Sequence, residues 1–221
     1  MRALRNGLGG FILALCLAAS GCSASLLFTV FGDGVAKTEN RTVADFTQLE
    51  LLGSGRVEVT MGELGPLEIT ADENILPYVE TKVENGRLYI SPERVLQTVT
   101  PLVIQVTVPN VRNVRITGTG EIVVSGIDNT YMSASVIGTG VITLDGQTET
   151  LVVDLNGAGR VSAGALAAND VSIEIDGVGT ADVQAAQTLD VVIAGSGVVT
   201  YSGAPTITQN ITGTGRLEKN E

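Results

Sequence analysis

A Gly-x-Gly tripeptide returns six times between Val114 and Leu217. It reads Gly118-Thr119-Gly120, Gly138-Thr139-Gly140, Gly157-Ala158-Gly159, Gly177-Val178-Gly179, Gly195-Ser196-Gly197 and Gly213-Thr214-Gly215. From one first glycine to the next the chain advances 20, 19, 20, 18 and 18 residues. A near-constant period of this length marks stacked supersecondary units, none of which buries its apolar face alone.

The residues around the tripeptides fall into rows. Two before the first glycine stand Ile116, Val136, Leu155, Ile175, Ile193 and Ile211, and four before it Val114, Ala134, Val153, Ile173, Val191 and Gln209. Four after it come Ile122, Ile142, Val161, Ala181, Val199 and Leu217. These positions share the parity of the glycines, so a strand running unbroken through the tripeptide turns both glycines inward with the core. An inward residue without a side chain lets the backbone bend or another wall approach closely.

Composition agrees with short strands and tight turns. The chain has 27 glycines, only 4% aromatic residues and no Trp, a balance that disfavours helices. The expected fold is all-β, a parallel β-helix of coils about 18–20 residues long. Six coils at the spacing of paired strands make a rod ~29 Å long.

Upstream, Gly53-Ser54-Gly55 is an isolated seventh tripeptide, flanked by alternating Leu49, Leu51, Val57 and Val59. Asn85-Gly86 lies between two alternating runs and predicts a hairpin, because both residues tolerate positive φ. Residues 41–110 therefore read as irregular opening coils with a hairpin, covering the end of the stack, and residues 111–221 as regular coils.

The N-terminus reads as an address. Arg2 and Arg5 precede an apolar run from Phe11 to Ala19, then Ala19-Ser20-Gly21-Cys22, the shape of a secretory signal over residues 1–21. Small residues before a cysteine resemble the bacterial lipobox, which implies cleavage before Cys22 and its lipidation. Ser23 in place of Asp leans, by the same resemblance, towards the outer membrane. Residues 22–40 read as the lipidated cysteine and a tether, with an apolar group at Leu26, Leu27, Phe28, Val30 and Phe31.

Several chemistries are excluded or disfavoured. Cys16 leaves with the signal and Cys22 is acylated in this reading, so no thiol remains for a disulfide, a nucleophile or a metal. The chain has no histidine, which removes Ser-His-Asp catalysis and histidine-ligated zinc. Its formal charge is −11, and loss of Arg2 and Arg5 with the signal takes it to −13. Such a surface repels phosphate backbones, so no nucleic-acid partner is expected. Asp154, Glu174 and Asp176 on adjacent coils, and the turn acids Asp145, Asp170, Asp182 and Asp190, form no recognised calcium repeat. No cofactor, metal or catalytic residue is assigned.

A lipoprotein-type start, Arg41-Thr42-Val43-Ala44-Asp45-Phe46 leading into Leu51-Leu52-Gly53-Ser54-Gly55, and repeated Ile-x-Gly-x-Gly units resemble the auto-transporter adhesin, head GIN domain family over about residues 38–217. The resemblance implies a single-stranded right-handed β-helix and carries no catalytic residue across. The expected function is a non-catalytic cell-envelope lipoprotein, adhesin-like, that binds a surface polysaccharide or protein through its elongated side. One alternative is a polysaccharide-acting enzyme, which needs Arg115, Arg160 or Lys82 beside an acid in a groove. The other is a structural or regulatory envelope component without an extracellular ligand. Cys22 is the expected lipid attachment site, and Gly53, Gly55 and both glycines of each ladder tripeptide are expected to be structural.

Overall fold

The computed structural model describes residues 29–220. The expected signal and the expected lipid attachment site, Cys22, lie outside them. The first nine strands are β1 (Thr29–Phe31), β2 (Ala36–Arg41), β3 (Gln48–Gly53), β4 (Arg56–Met61), β5 (Leu67–Asp72), β6 (Val79–Glu84), β7 (Arg87–Pro92), β8 (Val95–Gln97) and β9 (Val103–Val108). The ladder follows as β10 (Asn113–Gly118), β11 (Glu121–Gly138), β12 (Val141–Gly157), β13 (Arg160–Gly177), β14 (Thr180–Gly195), β15 (Val198–Gly203), β16 (Thr206–Gly213) and β17 (Arg216–Lys219). From β10 onwards every pairing runs parallel between successive coils, with Gly118, Gly138 and Gly157 in one register row and Gly157, Gly177, Gly195 and Gly213 continuing it. The fold is the expected parallel β-solenoid, and no described segment is an α-helix.

The apolar rows fill its interior. Ile116, Val136, Leu155, Ile175 and Ile193 are buried, as are Val114, Ala134, Val153, Ile173 and Val191. Only the last coil departs, with Ile211 and Leu217 half-buried because nothing among the described residues stacks beyond them.

The two glycines of a tripeptide do not both face inward as the shared parity implies. The strand does not run on through the tripeptide: it ends at each first glycine and bends at the middle residue, so the tripeptide is a corner. Gly157 has φ +125°, and a Cβ there would lie 2.6 Å from the Gly138 carbonyl oxygen of the preceding coil, pointing along the stack and not into the core. That carbonyl is occupied, accepting the Ala158 N–H at 2.9 Å. Only the second glycine faces inward as expected, since a Cβ on Gly159 would meet the core side chain of Val136 at 2.5 Å. A corner of this kind therefore needs glycine twice, once for backbone conformation and carbonyl clearance, once for core volume.

The N-terminal part supplies two layers of the stack in reverse order. β3 and β4, joined at the Gly53-Ser54-Gly55 corner, pair with β10 and β11 on one side. On the other side they pair with β7 and β9, which come later in the chain. The chain therefore builds its second layer first, passes outward to the terminal layer, and returns to start the ladder. The Asn85-Gly86 hairpin is present, with Asn85 at φ 51° and Gly86 at φ 73°. It lays β6 antiparallel on β7, while β5 lies antiparallel on β9 and β2 on β5. These antiparallel strands close the edge that a bare parallel end would leave open. Arg41 holds the closure together, donating to the carbonyl oxygens of Leu76 (3.0 Å) and Val79.

The described part of the segment read as a tether is more ordered than a tether. β1 pairs with β8, and β2 with β5. The Gly32-Asp33-Gly34 stretch between β1 and β2 is pinned by Asp72, whose carboxylate accepts the N–H groups of Gly34, Val99 and Thr100 at 3.1, 2.8 and 3.0 Å. Burial by itself would raise this carboxyl, but the N–H donors of Thr100, Val99 and Gly34 and the Thr100 hydroxyl outweigh it and hold it below the usual Asp range.

Candidate functional site

The coils differ in length, and the register shows where. Relative to β12, β11 has an extra residue between Val124 and Ile127, and β13 between Ser162 and Ala165. β14 is three residues shorter than β13 between Ala163 and Ala167, then regains one before Thr188. Every change falls on the stretch midway between successive glycine corners. The corners themselves stay in register throughout.

That variable side holds a groove of ≈ 750 Å³ spanning five successive coils. Its floor is one register row, Asn129, Thr148, Ala168, Ala185 and Gly203, whose side chains shrink along the stack. At the wide-residue end the floor is a hydrogen-bonded ladder: Thr148 Oγ1 donates to Asn129 Oδ1 (2.8 Å), and Asn129 Nδ2 donates to the Val111 carbonyl (3.0 Å). The neighbouring outward row carries Asp128, Gln147, Ala167 and Gln184, with Gln147 Nε2 donating to Asp128 Oδ1 at 2.9 Å. Thr130, Glu149 and Asn169 complete the polar lining, and no lysine, arginine or aromatic ring belongs to it.

Such a surface offers amide and hydroxyl donors and acceptors, two carboxylates, and small apolar steps between them. It fits an uncharged ligand dense in hydroxyl groups. It does not fit an anion, which would meet Asp128 and Glu149 with no compensating base.

The acids singled out in the sequence do other work. Asp145 accepts the Gly126 N–H (2.8 Å), Asp170 accepts the Thr188 hydroxyl (2.6 Å), and Asp182 accepts from Thr200 and Asn220 (both 3.0 Å). These contacts tie neighbouring coils together, and the one from Asn220 reaches Asp182 two coils away. Asp154 and Glu174 stand side by side in register on an exposed wall away from the groove, as do Asn156 and Asp176. Among the described residues no group of three acidic side chains is placed to hold a metal ion. Lys82 pairs with Glu84 on the hairpin, and neither Arg115 nor Arg160 lines this groove. Arg115 stands in register beside Glu50, but none of these three bases places its acid neighbour in the five-coil groove.

A second hollow, ≈ 680 Å³, lies at the N-terminal end, against the Gly53 and Gly118 corners and under the segment from Pro92 to Val103. Val95, Leu96 and Leu102 give it a more apolar wall.

The groove residues were not visible in the sequence. Their row changes identity at each coil, and the bulges shift its spacing from the glycine period. The 19-residue step from Asn129 to Thr148, hydrogen-bonded in the fold, was the one available signal.

The model of the family described as "Putative auto-transporter adhesin, head GIN domain" matches residues 45–205, and the chain belongs to that family. No curated protein matches the chain. Its fold is similar to a crystal structure described as a putative adhesin from Bacteroides fragilis, with TM-score 0.70 and 20% identity over 86% of this chain and 100% of the other. A protein from Parabacteroides distasonis described as a putative lipid binding protein aligns with TM-score 0.59 and 21% identity, covering 88% of this chain and all of the other. A putative adhesin from Parabacteroides merdae gives TM-score 0.57 and 18% identity over 87% and 99% of the two chains. At these identities the likeness is one of fold.

Proposed function

We propose that this chain is a non-catalytic, lipid-anchored protein of the bacterial cell envelope that binds an uncharged polysaccharide along the variable side of its solenoid. The observation that carries this reading is the five-coil groove, polar, free of bases, and built where the coils vary while their corners do not. Membership of an adhesin-type family supports a binding role. The lipobox-like Ala19-Ser20-Gly21-Cys22 supports anchorage, and the absence of Asp after Cys22 favours the outer membrane.

The lack of a stacking ring in the groove implies modest affinity, gained by several hydrogen bonds in series. A glycan array probed with the mature chain should show neutral polysaccharides retained and polyanionic ones not. Replacing Asn169 and Gln184 together with alanine removes two hydrogen-bonding side chains at the groove surface. The expected loss is about tenfold in affinity or more, at ~1 kcal/mol each, with thermal stability unchanged. Preferential binding of anionic glycans, or full binding by the double variant, would show that the ligand lies elsewhere.

A further inference from the structure

The described residues carry one concentrated apolar surface, and it sits where the chain enters the fold. Phe31, Val35, Val95 and Val99 are 66, 54, 42 and 70% exposed. β1 and β8 pair in parallel with Thr29 beside Val95 and Phe31 beside Gln97. Alternation along this pair turns Val30 and Leu96 in towards the core, and Phe31 and Val95 out. Gly34 packs close to Val99, which brings the loop bearing Val35 to the same place.

This surface is held rigidly. Asn74 Nδ2 donates to the Phe31 carbonyl (2.8 Å), the Asp33 N–H donates to Asn74 Oδ1 (3.1 Å), and the Asp72 carboxylate gathers Gly34, Val99 and Thr100. An apolar patch held in place by such hydrogen bonds marks an interaction site. Its rim has Asp33, Glu93 and Arg94, charges of both signs, so attraction to a charged surface does not drive the contact.

We propose that this face docks onto the bilayer in which Cys22 is anchored. The proposal rests on the lipid-anchor reading above. Thr29, the first residue of β1, follows Cys22 by only seven residues, which span at most ~25 Å when fully extended. The intervening stretch includes Leu26, Leu27 and Phe28. An acylated Cys22 therefore keeps Phe31 and Val95 within reach of the lipid headgroups, and one acyl-type signal becomes stable anchorage when a second apolar contact accompanies it. Docking by the terminal layer directs the far coils away from the membrane.

The chain has no tryptophan, so each of two single substitutions creates the sole indole. Phe31→Trp places it in the patch. Val192→Trp places it on an exposed position of β14, six layers and ~29 Å along the stack from β7. Full chain extracted from membranes is reconstituted into zwitterionic vesicles with and without brominated acyl chains, and mass spectrometry reads the lipid on Cys22. The expected result is acylated Cys22 in both variants. The Phe31→Trp emission should be blue-shifted and lose about half its intensity or more to bromine, given insertion of ~5–10 Å, while Val192→Trp emission is unaffected. Acylated protein with no quenching at position 31 overturns the docking and leaves the anchor standing. An unmodified Cys22 overturns both. A blue shift that grows with protein concentration and ignores bromine assigns the face to a second copy of the chain and overturns the membrane assignment.

Discussion

Gly177→Val is expected to destabilise the solenoid by about 3–5 kcal/mol, a large part of the stability of an ordinary domain. Two separate costs combine. Gly177 sits at φ +128°, a region that β-branched residues essentially do not enter. Its Cβ would also lie 2.4 Å from the Gly157 carbonyl oxygen, and that oxygen is fixed by the Val178 N–H at 2.9 Å. Backbone cannot swing aside as a side chain can, so the coil must lift from its neighbour. Gly86→Ala tests a milder positive φ free of any steric neighbour, because Gly86 has φ +73° and nothing within 4 Å of a Cβ. It should cost about 1 kcal/mol. Urea midpoints followed by circular dichroism separate the two. Equal losses at positions 86 and 177 would mean that the stacked carbonyl is not what excludes a side chain.

Asp72→Ala is expected to release the entry segment while the coils remain folded. Three part-buried N–H groups, from residues 34, 99 and 100, lose their shared buried acceptor at once. Residues 29–35 and 93–101 should then be cut by protease roughly tenfold faster or more, with the ladder resistant. Acid should do the same reversibly. The Asp72 carboxyl is held below its usual value, so its contribution is fully present above the unfolded-state range of ~3.9 and is lost as pH falls through the folded value beneath it. Hydrogen exchange at Val99 and Thr100 reads that loss. Unchanged protection of these two amides in the alanine variant would show that the segment is held by strand pairing alone.

The legible part of this molecule is the part that repeats against a fixed neighbour. Inward rows such as Ile116, Val136 and Leu155 must be apolar at every coil, and the corner must clear a carbonyl at every coil, so both leave a period in the sequence. The role of the first glycine was hidden, because a parity rule assumes a straight strand and the strand stops there. Reversal of the first two layers was hidden as well, since nothing in β3 states that β7 and β9 will pack beneath it. The Asp72 clasp joins residues 27 to 38 positions apart, beyond any local pattern. The groove leaves the faintest trace: Asn129, Thr148, Ala168, Ala185 and Gly203 share only a place in the coil.

The fold thus divides its labour between a corner that cannot change and a side that can. Side-by-side binding of a neutral polysaccharide to two variants of the mature chain tests this division directly. Ala167 is exposed in the groove, between Gln147 and Gln184 in register, and Thr139 is exposed at a glycine corner. Ala167→Trp should abolish binding and Thr139→Trp should leave it at the wild-type level, both with wild-type unfolding midpoints. Binding that survives Ala167→Trp and is lost in Thr139→Trp would contradict the account, placing the ligand on the glycine corners after all.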